Sequence, residues 1–374
     1  MHDPRRILIV NPFGIGDVLF STPLIRSVRR AWPEAYVAYL CNRRTEGIVR
    51  RNPHLDAVLV YEKDEMVRLW QRRPWRALSA LGDLFAQIRT ARFDLVIDLS
   101  LGARYGGLLR MLGVPRQVGF DYRHRGRFLS QRLPIDGYQE AHVVAYYDRL
   151  LSFLGVQPSH GTLELRVSAE EGEWALEWLR AHGLDRIRPL IGMVPAGGVS
   201  WGSGASFRRW STDGFAFVAD RLVNEHRARI VLFGEASDQP ICEAVAKRME
   251  SSSIDLSGQT TLGQFVALLG RMSLVICNDG GPLHLAVSQG VPTVSIFGPV
   301  DPMVYGPVTN GQICHRVVRR VDLPCQPCYH NFRLPPCPYE RACLTTIPPE
   351  EVMDACREVL QDWRAMSEEA VRHG

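Results

Sequence analysis

Lysine is almost missing from this chain. Lys63 and Lys247 are the only two in 374 residues, so arginine carries nearly all of the positive charge. A single arginine is therefore weaker evidence for phosphate recognition here than in a chain that uses both cations. No apolar run approaches the roughly 20 residues of a membrane span. The opening Met-His-Asp-Pro-Arg-Arg leads into a strand without a secretory leader, and the expectation is a cytoplasmic protein. No Asp-x-Asp pair is present to hold a diphosphate through a bound cation, so helix termini, Arg and His would have to neutralise one instead. A net charge of only +4 gives no reason to expect nucleic acid as a partner. The nine cysteines make an odd number, and a disulfide framework is not expected in such a chain. Cys41, Cys242, Cys277 and Cys356 sit in apolar or helical contexts and read as core.

What is present is an alternation. Apolar runs such as Arg6-Ile-Leu-Ile-Val10, Tyr36 to Leu40, Ala57 to Tyr61 and Asp94 to Asp98 are separated by helical patterns, including Asp17 to Ala31, Trp75 to Thr90 and Arg104 to Leu112. After Gly161 the pattern restarts, with strands at Leu190 to Val194, Arg229 to Phe233, Ile254 to Leu256, Leu274 to Cys277 and Thr293 to Phe297. Strands alternating with helices predict parallel sheets covered on both faces. The fold class is α/β, with two doubly wound, Rossmann-like domains: residues 1–165, then residues 166–348 carrying a Cys-rich tract at 325–343. The last helix, within 349–374, is expected to return to the first domain. Open α/β sheets bind ligands at the carboxyl ends of their strands, so a cleft between the domains is expected there, lined by loops 11–17, 196–210, 234–238 and 278–284.

The most informative stretch is Leu274 to Leu285. An apolar strand stops at Asn278-Asp279-Gly280-Gly281, and a helix begins with Pro282 in its first turn and His284 one turn in. Such a junction aims backbone N–H groups and a helix dipole at one point, as a phosphate site requires, although an ordinary strand-to-helix turn has the same outline. Gly14-Ile-Gly16-Asp17 also joins a strand to a helix. It fails as a dinucleotide fingerprint because Leu19 fills the third glycine position. Asp17 is either a helix cap or a general base facing the cleft. The loop Gly197 to Trp210, with Ser203, Ser206 and Arg208, has the composition of an oxyanion cradle or of a flexible loop. Glu235 follows a strand where ribose hydroxyls are often met by an acid. Between Arg104 and Arg132 seven arginines, Arg123 and Arg125 among them, surround the single acid Asp121, a candidate patch for an anionic partner. Cys325-x2-Cys328-x8-Cys337-x5-Cys343 carries four thiols in a proline-rich tract. A structural zinc or iron site and a set of packed thiols both remain open.

In their order and spacing these residues resemble glycosyltransferase family 9, the bacterial heptosyltransferases of lipopolysaccharide core assembly. The likeness rests on Gly14-Ile-Gly-Asp17 with Thr22-Pro23, Phe207-Arg-Arg-Trp210, Phe233-Gly-Glu235, Asp279-Gly-Gly-Pro-Leu-His284 and Phe297-Gly-Pro-Val-Asp-Pro302. The resemblance implies a GT-B fold, an inverting transferase needing no metal or cofactor for chemistry, and an ADP-heptose donor. It also implies an anionic glycolipid acceptor of the Kdo–lipid A type, with peripheral contact at the inner membrane, although no amphipathic anchor is evident in the sequence. By position, Asp17 matches the catalytic base, Arg208 a donor-phosphate contact and Glu235 the ribose acid. Asp279, Gly280, Gly281 and His284 match the diphosphate and sugar site, and Thr260 falls near an adenine contact. Gly280 replaces a Thr of the family pattern. Rival readings are a protein O-heptosyltransferase, a family-9 transferase with another nucleotide sugar, a nucleotide-sugar epimerase, an NAD-dependent enzyme and a non-catalytic nucleotide-binding protein.

Overall fold

The computed structural model describes residues 3–159, 161–197, 202–308, 311 and 313–373, with the side chains of residues 202, 203 and 366–373 left outside the description. The chain divides into two units, residues 1–166 and 167–374.

The first unit is built on six parallel strands: β1 (Arg6–Val10), β2 (Tyr36–Cys41), β3 (Ala57–Val60), β4 (Leu95–Asp98), β5 (Arg116–Tyr122) and β6 (Gln131–Ile135), in the order β3-β2-β1-β4-β5-β6. The second repeats this with β7 (Leu190–Val194), β8 (Arg229–Leu232), β9 (Ser253–Asp255), β10 (Leu274–Asn278), β11 (Thr293–Ile296) and β12 (His315–Val318), in the order β12-β11-β10-β7-β8-β9. Counted within its own unit, each sheet has the order 3-2-1-4-5-6, so each is a Rossmann-like sheet with one switch point. The central strands are apolar along their whole length because helices cover both faces, and Ile7 to Val10 and Leu274 to Cys277 are fully buried.

The switch points place the interesting residues. In the first unit β1 pairs with β4 on one side and β2 on the other, with Val10 level with Asp98. In the second, β10 pairs with β7, with Cys277 level with Val194. Chain segments leaving β1, β4, β7 and β10 therefore diverge at these points and open a crevice in each sheet edge.

The last helix departs from expectation. Over its described side chains the helix Pro349–His373 belongs to the second unit: Val352, Met353, Cys356, Val359 and Leu360 lie in the same core cluster as Ile276, Val294 and Ile296. Their spacing of three to four residues makes one apolar face, and β10 to β12 offer the sheet surface that buries it.

Candidate active site

In the second unit, the motif Phe207-Arg-Arg-Trp210 fastens three strand ends together. Arg208 Nη2 lies 2.9 Å from Asp279 Oδ2, just beyond β10. Arg209 Nε donates to the carbonyl of Ala196 after β7 (2.8 Å), and its Nη2 is 3.8 Å from Asp238 after β8. The Trp210 N–H donates to Asn278 Oδ1 (2.9 Å), and Asn278 Nδ2 donates to the carbonyl of Pro195 (2.6 Å). Asn278 is fully buried, so one amide fixes the exit of β7 and the start of the helix Thr212–His226 against β10.

The helix Gly281–Ser288 follows at once, with Gly280 as its N-cap at φ +154°. A Cβ on Gly280 would lie 3.0 Å from the Gly197 carbonyl and 3.3 Å from Arg208 Nη2. Both the backbone angle and the space thus favour glycine at this position. The same distances put the Arg208 guanidinium at the mouth of the helix. Positive charge and the helix N-terminus converge on one spot, the arrangement an anion needs. His284 is buried in the first turn of that helix. Burial raises the Asp279 carboxyl above its usual range, and Arg208 offsets part of that rise.

Glu235 is exposed just beyond β8, and its N–H donates to Asp238 Oδ2 (3.1 Å). Thr260 lies half-buried in the turn after β9. The two turns touch, since the Gly258 N–H donates to the Gly234 carbonyl (2.9 Å). Ser206 is exposed, and its carbonyl accepts Arg341 Nη1 (2.8 Å). The side chain of Ser203 and all of residues 198–201 lie outside the described residues.

In the first unit, Gly14 caps the short helix Ile15–Phe20, whose third residue is Asp17. Asp17 Oδ2 accepts the Gly14 N–H (3.3 Å), and its carbonyl accepts Asn11 Nδ2 (3.1 Å). Gly16 lies in the same half-buried turn. Asn42 Nδ2 donates to the carbonyls of Pro12 (3.1 Å) and Phe13 (2.6 Å). Two buried amides therefore hold the turn from β1 to Asp17, and neither is visible as a motif. Only their position, directly after β1 and β2, would have singled them out.

Asp98 was also missed. It ends β4 beside the Asp17 turn and is buried, with Oδ1 accepting the Ser100 N–H (2.8 Å). Burial raises its pKa from 3.8 to about 6, against the pull of its Ser100 hydrogen bonds. The folded carboxyl keeps its proton to a higher pH than the unfolded one, so through this group stability falls as pH climbs between those two values. Asp98→Asn, which can still accept the Ser100 N–H, is expected to raise unfolding free energy by about 2 kcal/mol at pH 8. The gain should nearly vanish at pH 4, and denaturant titrations at both pH values check it.

The arginine-rich stretch splits. Arg123 and Arg125 are exposed beyond the carboxyl end of β5 and stack over Tyr122 at 5.1 and 5.5 Å. Arg132 is 3.6 Å from Asp121. Arg110 and Arg116 lie toward the amino end of β5 instead, Arg110 donating to the Pro115 carbonyl (3.0 Å) and Arg116 to Gln131 Oε1 (3.3 Å). The patch is therefore smaller than the sequence suggests.

The cysteine tract is not arranged as a metal site among the described residues. Burial first, then the neighbouring thiols of Cys328, Cys337 and Cys325, raise the Cys343 thiol to about 11. Yet among the described residues no three His, Cys, Asp or Glu side chains are arranged to hold an ion. Cys343 instead packs in the core of the second unit, and Cys337 Sγ accepts the Arg341 N–H (3.3 Å).

A family profile described as glycosyltransferase family 9 (heptosyltransferase) matches residues 81–334. Lipooligosaccharide heptosyltransferase 2 of Haemophilus ducreyi is 32% identical over 327 residues, covering 84% of this chain and 89% of that protein. Among solved structures, the family 9 glycosyl transferase of Veillonella parvula aligns with a TM-score of 0.78 at 26% identity, over 96% of this chain and 97% of the other. The E. coli ADP-heptose lps heptosyltransferase II aligns with a TM-score of 0.71 at 22% identity, over 95% and 98%. With two six-stranded parallel sheets of Rossmann order and a profile match across most of its length, the chain belongs to glycosyltransferase family 9 and is a glycosyltransferase of the GT-B class.

Proposed function

We propose that the chain moves a heptose from ADP-L-glycero-β-D-manno-heptose to a hydroxyl of a lipopolysaccharide inner-core acceptor of the Kdo–lipid A type. The work is done at the cytoplasmic side of the membrane. The observation that carries this reading is the placement of Arg208 at the mouth of the helix Gly281–Ser288, on the switch point between β7 and β10. The relatives named above support heptose as the sugar and a lipid-borne glycan as the acceptor.

The donor diphosphate lies on the N-terminus of that helix and the guanidinium fork of Arg208, whose five N–H groups exceed what Asp279 alone can accept. Glu235 takes the ribose hydroxyls and Thr260 lies by the adenine. His284 supports the diphosphate or sugar from the first helical turn. Asp17 accepts the proton of the acceptor hydroxyl as its oxygen bonds to the anomeric carbon, and the bond from that carbon to the diphosphate oxygen breaks on the opposite face. ADP departs with an added negative charge, which the helix terminus and Arg208 stabilise. No step uses a metal or other cofactor. Arg123 and Arg125, on the unit that carries Asp17, meet the acidic groups of the acceptor.

Calorimetric titration with ADP, UDP and GDP tests the donor. Binding of ADP at least tenfold tighter than either of the others is expected. A preference for UDP or GDP would replace the donor, and no binding of any would remove the reading.

A further inference from the structure

The helix Lys63–Arg72 buries none of its residues, and the chain turns at Arg73 into the helix Pro74–Ala91. Large apolar side chains crowd the outside of this corner: Val67 is 48% exposed, Trp70 54%, Trp75 80% and Leu78 47%. Val67 and Trp70 are three apart on the first helix, and Trp75 and Leu78 three apart on the second, so each helix turns one apolar face to solvent. Residues 67–78 also carry Arg68, Arg72, Arg73 and Arg76 and no acid. All four arginines are exposed, and none is ion-paired among the described residues; the nearest acid along the chain, Glu65, is held by Arg43 at 3.3 Å. The sequence hid this surface because its apolar groups are divided between two helices, and neither helix has a long stripe of its own.

Exposed tryptophans interleaved with unpaired arginines match one environment well. At a bilayer surface, indole rings settle at the boundary between headgroups and acyl chains, and arginines reach the lipid phosphates. A protein partner would have to present an apolar floor with a ring of four acids, whereas an anionic bilayer supplies both at once. We propose that this helical corner docks the enzyme on an anionic phospholipid surface, with Trp70 and Trp75 inserted and Arg68, Arg72, Arg73 and Arg76 on headgroup phosphates. The assignment deepens the reading of a lipid-borne acceptor and rests on it for the choice of a bacterial bilayer.

The test is co-sedimentation of the full chain with vesicles of phosphatidylglycerol and phosphatidylethanolamine, against vesicles of phosphatidylcholine, without donor or acceptor. Binding to the anionic vesicles should be at least tenfold tighter and should fall as salt rises. Each arginine near the surface is worth about fivefold in affinity. Arg72→Gln with Arg76→Gln should therefore weaken binding by more than tenfold, as should Trp70→Ser with Trp75→Ser. Brominated acyl chains should quench tryptophan fluorescence in the wild type and not in the double-tryptophan variant. The proposal is overturned if the wild type stays in solution with anionic vesicles, or if both double variants bind as it does. It is equally overturned if the lipid-free protein self-associates through this corner and the tryptophan variant abolishes that association. Because no sugar is present, any of these results leaves nucleotide preference, and transfer to a delipidated acceptor, as separate questions.

Discussion

Asp17→Asn is expected to lower the turnover of ADP-heptose with a Kdo–lipid A acceptor by about 10²- to 10⁴-fold, the range for removal of a positioned base. ADP affinity should not change, because the residues assigned to the nucleotide lie in the second unit and Asp17 in the first. The substitution is a mild one for the fold. The contact Asp17 makes at the helix start is acceptance of the Gly14 N–H, which an asparagine oxygen can also accept. What Asn cannot do is take up a proton. Tyr39 and Tyr147 interact electrostatically with Asp17, but both are fully buried, and burial raises both phenols well above their usual range. They stay neutral and un-ionised wherever the enzyme works. Steady-state kinetics beside ADP calorimetry decides the matter. Turnover near the wild-type level would reduce Asp17 to a helix cap and leave the base unassigned.

The strands that carry this site were readable because they are central. Ile7 to Val10 and Leu274 to Cys277 are buried on both faces and so form unbroken apolar runs. Strands β5 and β6 were not readable. Arg116-Gln-Val-Gly-Phe-Asp-Tyr122 mixes polar and apolar groups, and Gln131 to Ile135 contains Pro134. Because β6 is the outermost strand, a residue without an N–H is tolerated there. A local scan therefore sees only clustered arginines. Strand β12 was missed for a related reason, its residues being half-buried at the other outer edge of the second sheet.

The chemical residues divide in the same way. Asp279, Gly280 and His284 announce themselves through a strand–glycine–helix junction, a local pattern. Asn42 and Asn278 act by hydrogen-bonding backbone brought close by the fold, and no spacing along the chain encodes that. Arg209 shows the limit most clearly. It stands beside Arg208 in one motif, yet it holds Ala196 and Asp238 while Arg208 turns to Asp279. The cysteine tract is a different case, where spacing left a metal site and packed thiols both open, and the described residues show no arranged ligand set.

Arg208→Gln should damage both stability and turnover, and the two losses can be separated. Asp279 is buried, with its carboxyl already raised by burial and held down only by Arg208. Without the guanidinium it becomes a buried charge with no counter-ion, at a cost of about 3–5 kcal/mol. The carboxyl then holds its proton to a still higher pH. The variant's deficit in denaturant unfolding should therefore widen as pH rises above the ordinary carboxylate range and shrink below it. The double variant Arg208→Gln with Asp279→Asn carries no charge at either position and should recover most of that stability. It should not recover transfer, because the cation at the mouth of the helix is still missing, and removing such a group from a developing oxyanion costs about 10²- to 10³-fold in turnover. If the double variant regained both stability and turnover, Arg208 would be a structural partner of Asp279 alone, and the charge of the leaving ADP would rest on the helix terminus.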